Sequence, residues 1–133
     1  MPNILIVEDD EMNRVMMARH LKWEGYTVIA AANGVQAVAL AQAGSIDLIL
    51  MDMGLPIMNG WEATQRLKAA PATRAIPVIA LTAYVLSEDR TKCLQVGCDE
   101  YESKPINFPR LFAKMSRFLN HTPATRMAED TAR

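Results

Sequence analysis

Cysteine is almost missing from this sequence: Cys93 and Cys98 are the only two in 133 residues. That is too few for a disulfide framework, and the accompanying His or Cys of a zinc site is lacking. The pair reads as small buried or half-buried residues in a reduced setting. An excess of either charge is missing too, since 14 Lys and Arg face 15 Asp and Glu, for a formal net charge of −1. No global positive field exists to hold nucleic acid or an anionic membrane. Long apolar runs are absent: none reaches the roughly 18 residues of a membrane-spanning helix, and Asn33, Asp47 and Pro77 break the best candidates. The start, Met1-Pro2-Asn3 and then only Ile4 to Val7 before the acids, has neither the basic opening nor the apolar length of an export signal. The glycines do not compose a nucleotide loop either, around Asn33-Gly34 or at Gly54 and Gly60. A chain that stays in water, in the cytoplasm, is the expectation.

Half the residues are apolar and 22% are charged, which fits one globular domain. At this length folding buries roughly two thirds of the chain's surface, so no staple is needed. Short apolar runs alternate with longer amphipathic stretches. The runs are Ile4 to Val7, Val28 to Ala30, Ile46 to Met51, Val78 to Leu81 and a weaker one around Tyr101, which predicts five strands. The first four are apolar on consecutive residues, the pattern of strands covered on both faces in a parallel sheet.

The stretches between them read as helices. Residues 11 to 24 carry Val15, Ala18 and Leu21 at helical spacing and stop at Gly25, and Val35 to Ala43 stops at Gly44. A third helix follows Gly60; a fourth and most polar one starts from Ser87 as N-cap and ends at Gly97. In the fifth, Leu111, Phe112, Met115, Phe118 and Leu119 form an inward stripe behind Asn107 and Pro109. Met12, Met16 and Met17 read as helix packing, and His20 and His121 as surface residues. Successive βα units predict an α/β fold with a doubly wound, five-stranded parallel sheet and five helices. Residues 1–119 form this domain, and 120–133, without periodicity, read as a flexible tail or linker stub.

In such a sheet all strand C-termini share one rim, where ligands bind. Glu8 and Asp9 follow the first run, with Asp10 behind them; Asp52 follows the third, Thr82 the fourth and Lys104-Pro105 the fifth. Carboxylates at the ends of adjacent strands repel and raise one another's pKa unless a cation sits among them. Oxygen ligands in small number favour Mg²⁺ over a Ca²⁺ cage or a thiol-seeking metal. Mg²⁺ invites phosphate chemistry. Lys104 and Thr82 suit phosphoryl oxygens, and an ionised Asp can attack phosphorus to form an acyl phosphate, with Asp52 the best-placed nucleophile.

These residues resemble the receiver domain of two-component response regulators. The marks are Ile4-Leu5-Ile6-Val7-Glu8-Asp9-Asp10, Asp52 followed by Leu55-Pro56 and Gly60, Leu81-Thr82-Ala83, and Tyr101 ahead of Lys104-Pro105, over about residues 3 to 119. The resemblance implies the flavodoxin-like strand order 2-1-3-4-5. It further implies that Asp52 accepts a phosphoryl group, that Asp9, Asp52 and the Gly54 carbonyl bind Mg²⁺, and that Glu8 holds the ion through water, with Asp10 peripheral. Lys104 would bridge to the phosphoryl group, Thr82 would move toward it, and Tyr101 would turn inward. The Lys104–Pro105 bond would be cis. Glu8 in place of the commoner Asp, and Leu55 in place of Met, are modest departures. Gly54 and Tyr84 occupy positions that influence acyl phosphate lifetime in receivers.

The function expected is a signalling receiver, not a metabolic enzyme, phosphorylated by a phosphohistidine of a sensor kinase or phosphotransfer protein. It would switch contacts with a downstream protein through the face of the fourth helix, fifth strand and fifth helix, as a monomer or a phosphorylation-dependent dimer. It would be a stand-alone regulator or part of a larger hybrid protein. The rivals are a Mg²⁺-dependent phosphohydrolase with an aspartyl nucleophile, which would want a carboxylate where Gly54 stands, and a receiver-like binding module that is never phosphorylated.

Overall fold

Strands and helices alternate strictly along the chain. They are β1 (Asn3–Val7), α1 (Glu11–Trp23), β2 (Thr27–Ala31), α2 (Gly34–Gln42), β3 (Leu48–Asp52), α3 (Gly60–Ala69), β4 (Val78–Thr82), α4 (Ser87–Gln95), β5 (Glu100–Ser103) and α5 (Phe108–Leu119). The structure, a computed structural model, describes residues 2–55, 58–83 and 87–119, without the side chains of 87–90. Pro56, Tyr84, the tail 120–133 with His121, and the capping expected of the Ser87 side chain lie outside the described residues. All neighbouring strands are parallel, in the order β2-β1-β3-β4-β5, the doubly wound arrangement expected.

Side chains alternate across the sheet and divide the core in two. Leu5, Val7, Ile49 and Met51 join Ala37, Ala63, Leu67 and Cys93 on one side. Ile4, Ile6, Leu48 and Leu50 meet Met17, Leu21, Leu111, Phe112 and Met115 on the other. β3 and β4 are buried throughout and β1 nearly so. β2 departs from the expectation of two covered faces: it is an edge strand, so Val28 and Ile29 are half-buried and Ala30 is exposed.

The face that α1 turns inward also differs from expectation. Met17 and Leu21, four residues apart, are buried, whereas Val15 is exposed. Met12 and Met16 are exposed rather than packed. Phe118 likewise sits at the outer margin of the α5 stripe, which is buried at Leu111, Phe112 and Met115. The glycines expected to end α1, α2 and α4 take positive φ of 97° at Gly25, 95° at Gly44 and 100° at Gly97. Cys93 and Cys98 are buried free thiols. Burial, with Cys93 alongside, pushes the Cys98 thiol up to about 12, so it is inert at neutral pH.

At the lower end of the sheet Lys68 ties three pieces of chain together. Its Nζ donates to the carbonyls of Arg74 (3.1 Å) and Ile76 (2.7 Å) and to Asp99 Oδ2 (2.9 Å). Asp99 Oδ2 also accepts the Val78 N–H at 2.8 Å. The C-terminal end of α3 is thereby fastened beneath β4.

Candidate functional site

β1 and β3 run side by side with Val7 opposite Met51, so Glu8 and Asp52 leave the sheet at the same level. Thr82, at the end of β4, lies opposite Ser103, and the Lys104 N–H donates to the Thr82 carbonyl at 2.8 Å. The parallel register thus brings residues 8 to 104 to one rim. One carboxylate oxygen from each of Glu8, Asp9 and Asp52 lies within 4.8 Å of the others. Lys104 Nζ is 3.2 Å from Asp52 Oδ1, which also accepts the Gly54 N–H at 2.9 Å. Asp52, Gly54, Thr82 and Lys104 share the lining of a cavity of about 210 Å³ with Met53, Trp61 and Ala83. The Lys104–Pro105 peptide bond is cis.

Glu8 and Asp52 are only 3% and 5% exposed. Burial, and then the Asp52 carboxylate beside it, push Glu8 up to about 7, against weaker pulls from Lys104 and Asn13. Burial also opposes ionisation of Asp52, but Glu8, the Gly54 N–H and Lys104 outweigh it and hold that carboxyl below its ordinary value. Two acids this close resist ionising together, so Glu8 keeps its proton to higher pH than an ordinary carboxyl. Glu8 Oε2 is buried with no hydrogen-bond partner among the described residues. An orphaned carboxylate oxygen facing two further carboxylates fits a hard divalent cation better than any donor present.

Two neighbours of the site, Arg14 and Trp61, were not foreseen, and a third has a structural task. Asp10, set aside as peripheral, caps α1 by accepting the Asn13 N–H at 2.9 Å. Arg14 reaches back from α1 to donate to the carbonyls of Glu8 (2.9 Å) and Asp9 (3.5 Å), fixing the turn that carries both acids. Trp61 comes from α3, away from any strand end. Among the residues that were foreseen, Tyr101 stands apart from the cavity: half-buried on β5, it packs against the core side shared with α3 and α4. Lys114 Nζ lies 5.3 Å from its ring centre and donates to its carbonyl at 2.7 Å. A second cavity, about 600 Å³, opens between α1 and the turn after β5, lined by Glu8, Asn13, Met16, Lys104, Ile106 and Phe108 among others.

With strand order and acidic rim established, the chain belongs to the response regulator receiver domain family, which matches residues 4–116. It is thus a receiver of two-component signalling. It is similar to the polar-differentiation response regulator DivK of Brucella anthropi, 40% identical over 117 residues, covering 88% of this chain and 95% of that protein. Among solved structures it resembles the receiver domain of the sensor histidine kinase PA1611 from Pseudomonas aeruginosa, with a TM-score of 0.83 and 38% identity, covering 90% of this chain and 98% of that one. That structure has a magnesium ion coordinated in its active-site cleft. Another neighbour is the receiver domain of Ssk1 from Saccharomyces cerevisiae, in complex with the histidine phosphotransfer protein Ypd1, with a TM-score of 0.82 and 30% identity over 88% of each chain.

Proposed function

We propose that Asp52 is the phosphoacceptor of this receiver and takes its phosphoryl group from a phosphohistidine on a histidine kinase or phosphotransfer protein. The observation that carries this reading is the Asp52 carboxylate itself: kept ionised although buried, held at Oδ1 by Lys104 and the Gly54 N–H, and set beside two further acids. Glu8, Asp9, Asp52 and the Gly54 carbonyl would hold Mg²⁺, which when bound neutralises these acids and the phosphoryl oxygens. In the transfer an Asp52 oxygen attacks phosphorus, the P–N bond to the donor histidine breaks, and its electron pair stays on the imidazole nitrogen. Lys104 offsets charge on the incoming oxygens, and the Gly54 N–H keeps the carboxylate plane oriented.

Residues 1–119 then form the receiver and 120–133 a tail or linker, working in the cytoplasm as a monomer or phosphorylation-dependent dimer. Phosphorylation adds charge and strong acceptors at Asp52, to which Thr82 and then Tyr101 would respond, biasing the α4–β5–α5 face toward a protein target. The donor has a natural landing surface. Met12, 82% exposed, Val15 and Met16 form an apolar strip on α1, and Met16 also lines the cavity that reaches Glu8 and Lys104. An apolar strip continuous with the acceptor rim suits a helical phosphodonor. Gly54, where a hydrolase would want a carboxylate, speaks against multiple turnover.

Incubation with Mg²⁺ and a small phosphodonor should give one phosphoryl adduct by intact mass, lost in Asp52→Asn. Rapid turnover of generic phosphate esters would favour the hydrolase instead. No adduct from any donor would favour a silent binding module.

A further inference from the structure

We propose that Trp61 and Lys92 form a latch across the phosphoacceptor cavity that governs how readily water reaches a phosphoryl group on Asp52; this rests on the reading of Asp52 given above. Trp61 is the second residue of α3 and, among the described residues, the one aromatic side chain lining the 210 Å³ cavity. Its backbone is held hard against the strand end. A Cβ on Gly60 would stand 2.4 Å from the Asp52 carbonyl oxygen and 2.6 Å from the Met53 Cα, so only glycine lets the helix start so close to the acceptor. Asn59 caps the same turn, accepting the Glu62 N–H at 2.9 Å.

Gly54 lines the same cavity without a side chain: among the described residues a Cβ there would meet only Asp52 Oδ1, at 3.6 Å, so nothing covers the acceptor from position 54 itself. The indole of Trp61 therefore supplies bulk that position 54 does not. Its ring is engaged from α4, where Lys92 Nζ lies 4.6 Å from the ring centroid, within the range of a cation–π contact. Lys92 sits on an exposed helical position and Trp61 is half-buried, so the cation can leave without disturbing the core. The contact joins α3 at the acceptor to α4 on the expected output face.

The step controlled is hydrolysis. A water oxygen attacks phosphorus, the P–O bond to Asp52 breaks with its electron pair returning to the carboxylate, and the water's proton leaves on inorganic phosphate. Trp61 touches none of the reacting atoms; it is a positioning residue that narrows the approach, and Lys92 keeps it there.

The test uses the full chain, phosphorylated with Mg²⁺ and a small acyl phosphate, freed of donor and followed by intact mass over time. Lys92→Gln should shed the adduct about two- to five-fold faster than the parent, the rate equivalent of an exposed cation–π contact. It should also gain the adduct faster from the small donor. Lys92→Arg, which keeps the cation, should restore the parent rates, a rescue that a mere packing role would not require. Trp61→Leu should exceed Lys92→Gln; if it fails to fold, Lys92→Gln and Lys92→Arg still decide. Parent-like loss in Lys92→Gln, or in a folded Trp61→Leu, would overturn the latch and leave the reading of Asp52 standing. No adduct on the parent chain would overturn that reading and the latch with it.

Discussion

Two buried glutamates, Glu8 at the rim and Glu102 on β5, meet opposite electrostatic fates. Glu102 is 1% exposed, yet Arg110 Nε donates to its Oε1 at 2.8 Å, Arg110 Nη2 contacts the same oxygen, and Lys114 Nζ lies 3.0 Å from its Oε2. Burial favours the neutral form, but these cations from α5 overcome it and keep the carboxyl below its ordinary value. Glu8 is driven the other way, by burial first and then by the Asp52 carboxylate beside it. Burial alone therefore does not mark a functional acid. The charge balance separates the two: the fold sets its own cations against Glu102, although Glu102 Oε2, like Glu8 Oε2, has no hydrogen-bond partner among the described residues, whereas the acids around Glu8 would need an ion from solution.

Each half of this contrast can be challenged. The largest effect is expected at Asp52: Asp52→Asn should abolish the phosphoryl adduct by intact mass and, by removing the neighbouring charge, draw Glu8 down from about 7 in a carboxyl NMR titration. Should Glu8 stay where it is, burial alone holds it there.

Next, Glu102→Gln should cost about 1–3 kcal/mol in urea unfolding, because buried hydrogen bonds to charged groups are lost. Glu8→Gln should leave metal-free stability at pH 8 unchanged or higher while weakening Mg²⁺ binding by calorimetry.

The third test is pH dependence in chelator. Glu8 binds its proton more tightly folded than unfolded, so its contribution makes metal-free stability fall as pH rises from about 4.5 to about 7. Glu102 binds its proton more weakly folded, so its contribution is present above about 4.5 and is lost as pH falls below that through the folded value. Replacing each by Gln in turn should remove one slope and leave the other.

The smallest effect belongs to the surface: Met12→Lys or Val15→Lys should alter stability by less than about 0.5 kcal/mol. Either change should slow transfer from a phosphohistidine protein without slowing phosphorylation by a small donor.

Most of the fold was legible because strands covered on both faces write uninterrupted apolar runs, and such runs at β1, β3 and β4 locate the rim. From there Glu8, Asp52 and Thr82 follow one step past each run and Asp9 two steps past the first, while Lys104 follows the weaker run around Tyr101. What escaped reading depends on contacts without a periodic trace. Arg14 acts through backbone carbonyls, which every residue offers. Trp61 belongs to a helix start whose closeness to Asp52 is set by Gly60. Glu102, charged and in a short strand, leaves no apolar trace, and its partners Arg110 and Lys114 come from α5. On α1, Leu21 fits two different stripes, one through Val15 and Ala18 and one through Met17; only tertiary packing chooses the second.

The three-way anchorage at Lys68 bears on how a signal travels. With its tail bolted under β4 and its head pressed on the Asp52 carbonyl by Gly60, α3 works as a fixed strut. Motion started at the acceptor then has its easier outlet toward α4, whose surface touch on that strut is the ammonium of Lys92 over the Trp61 ring, above the buried Cys93.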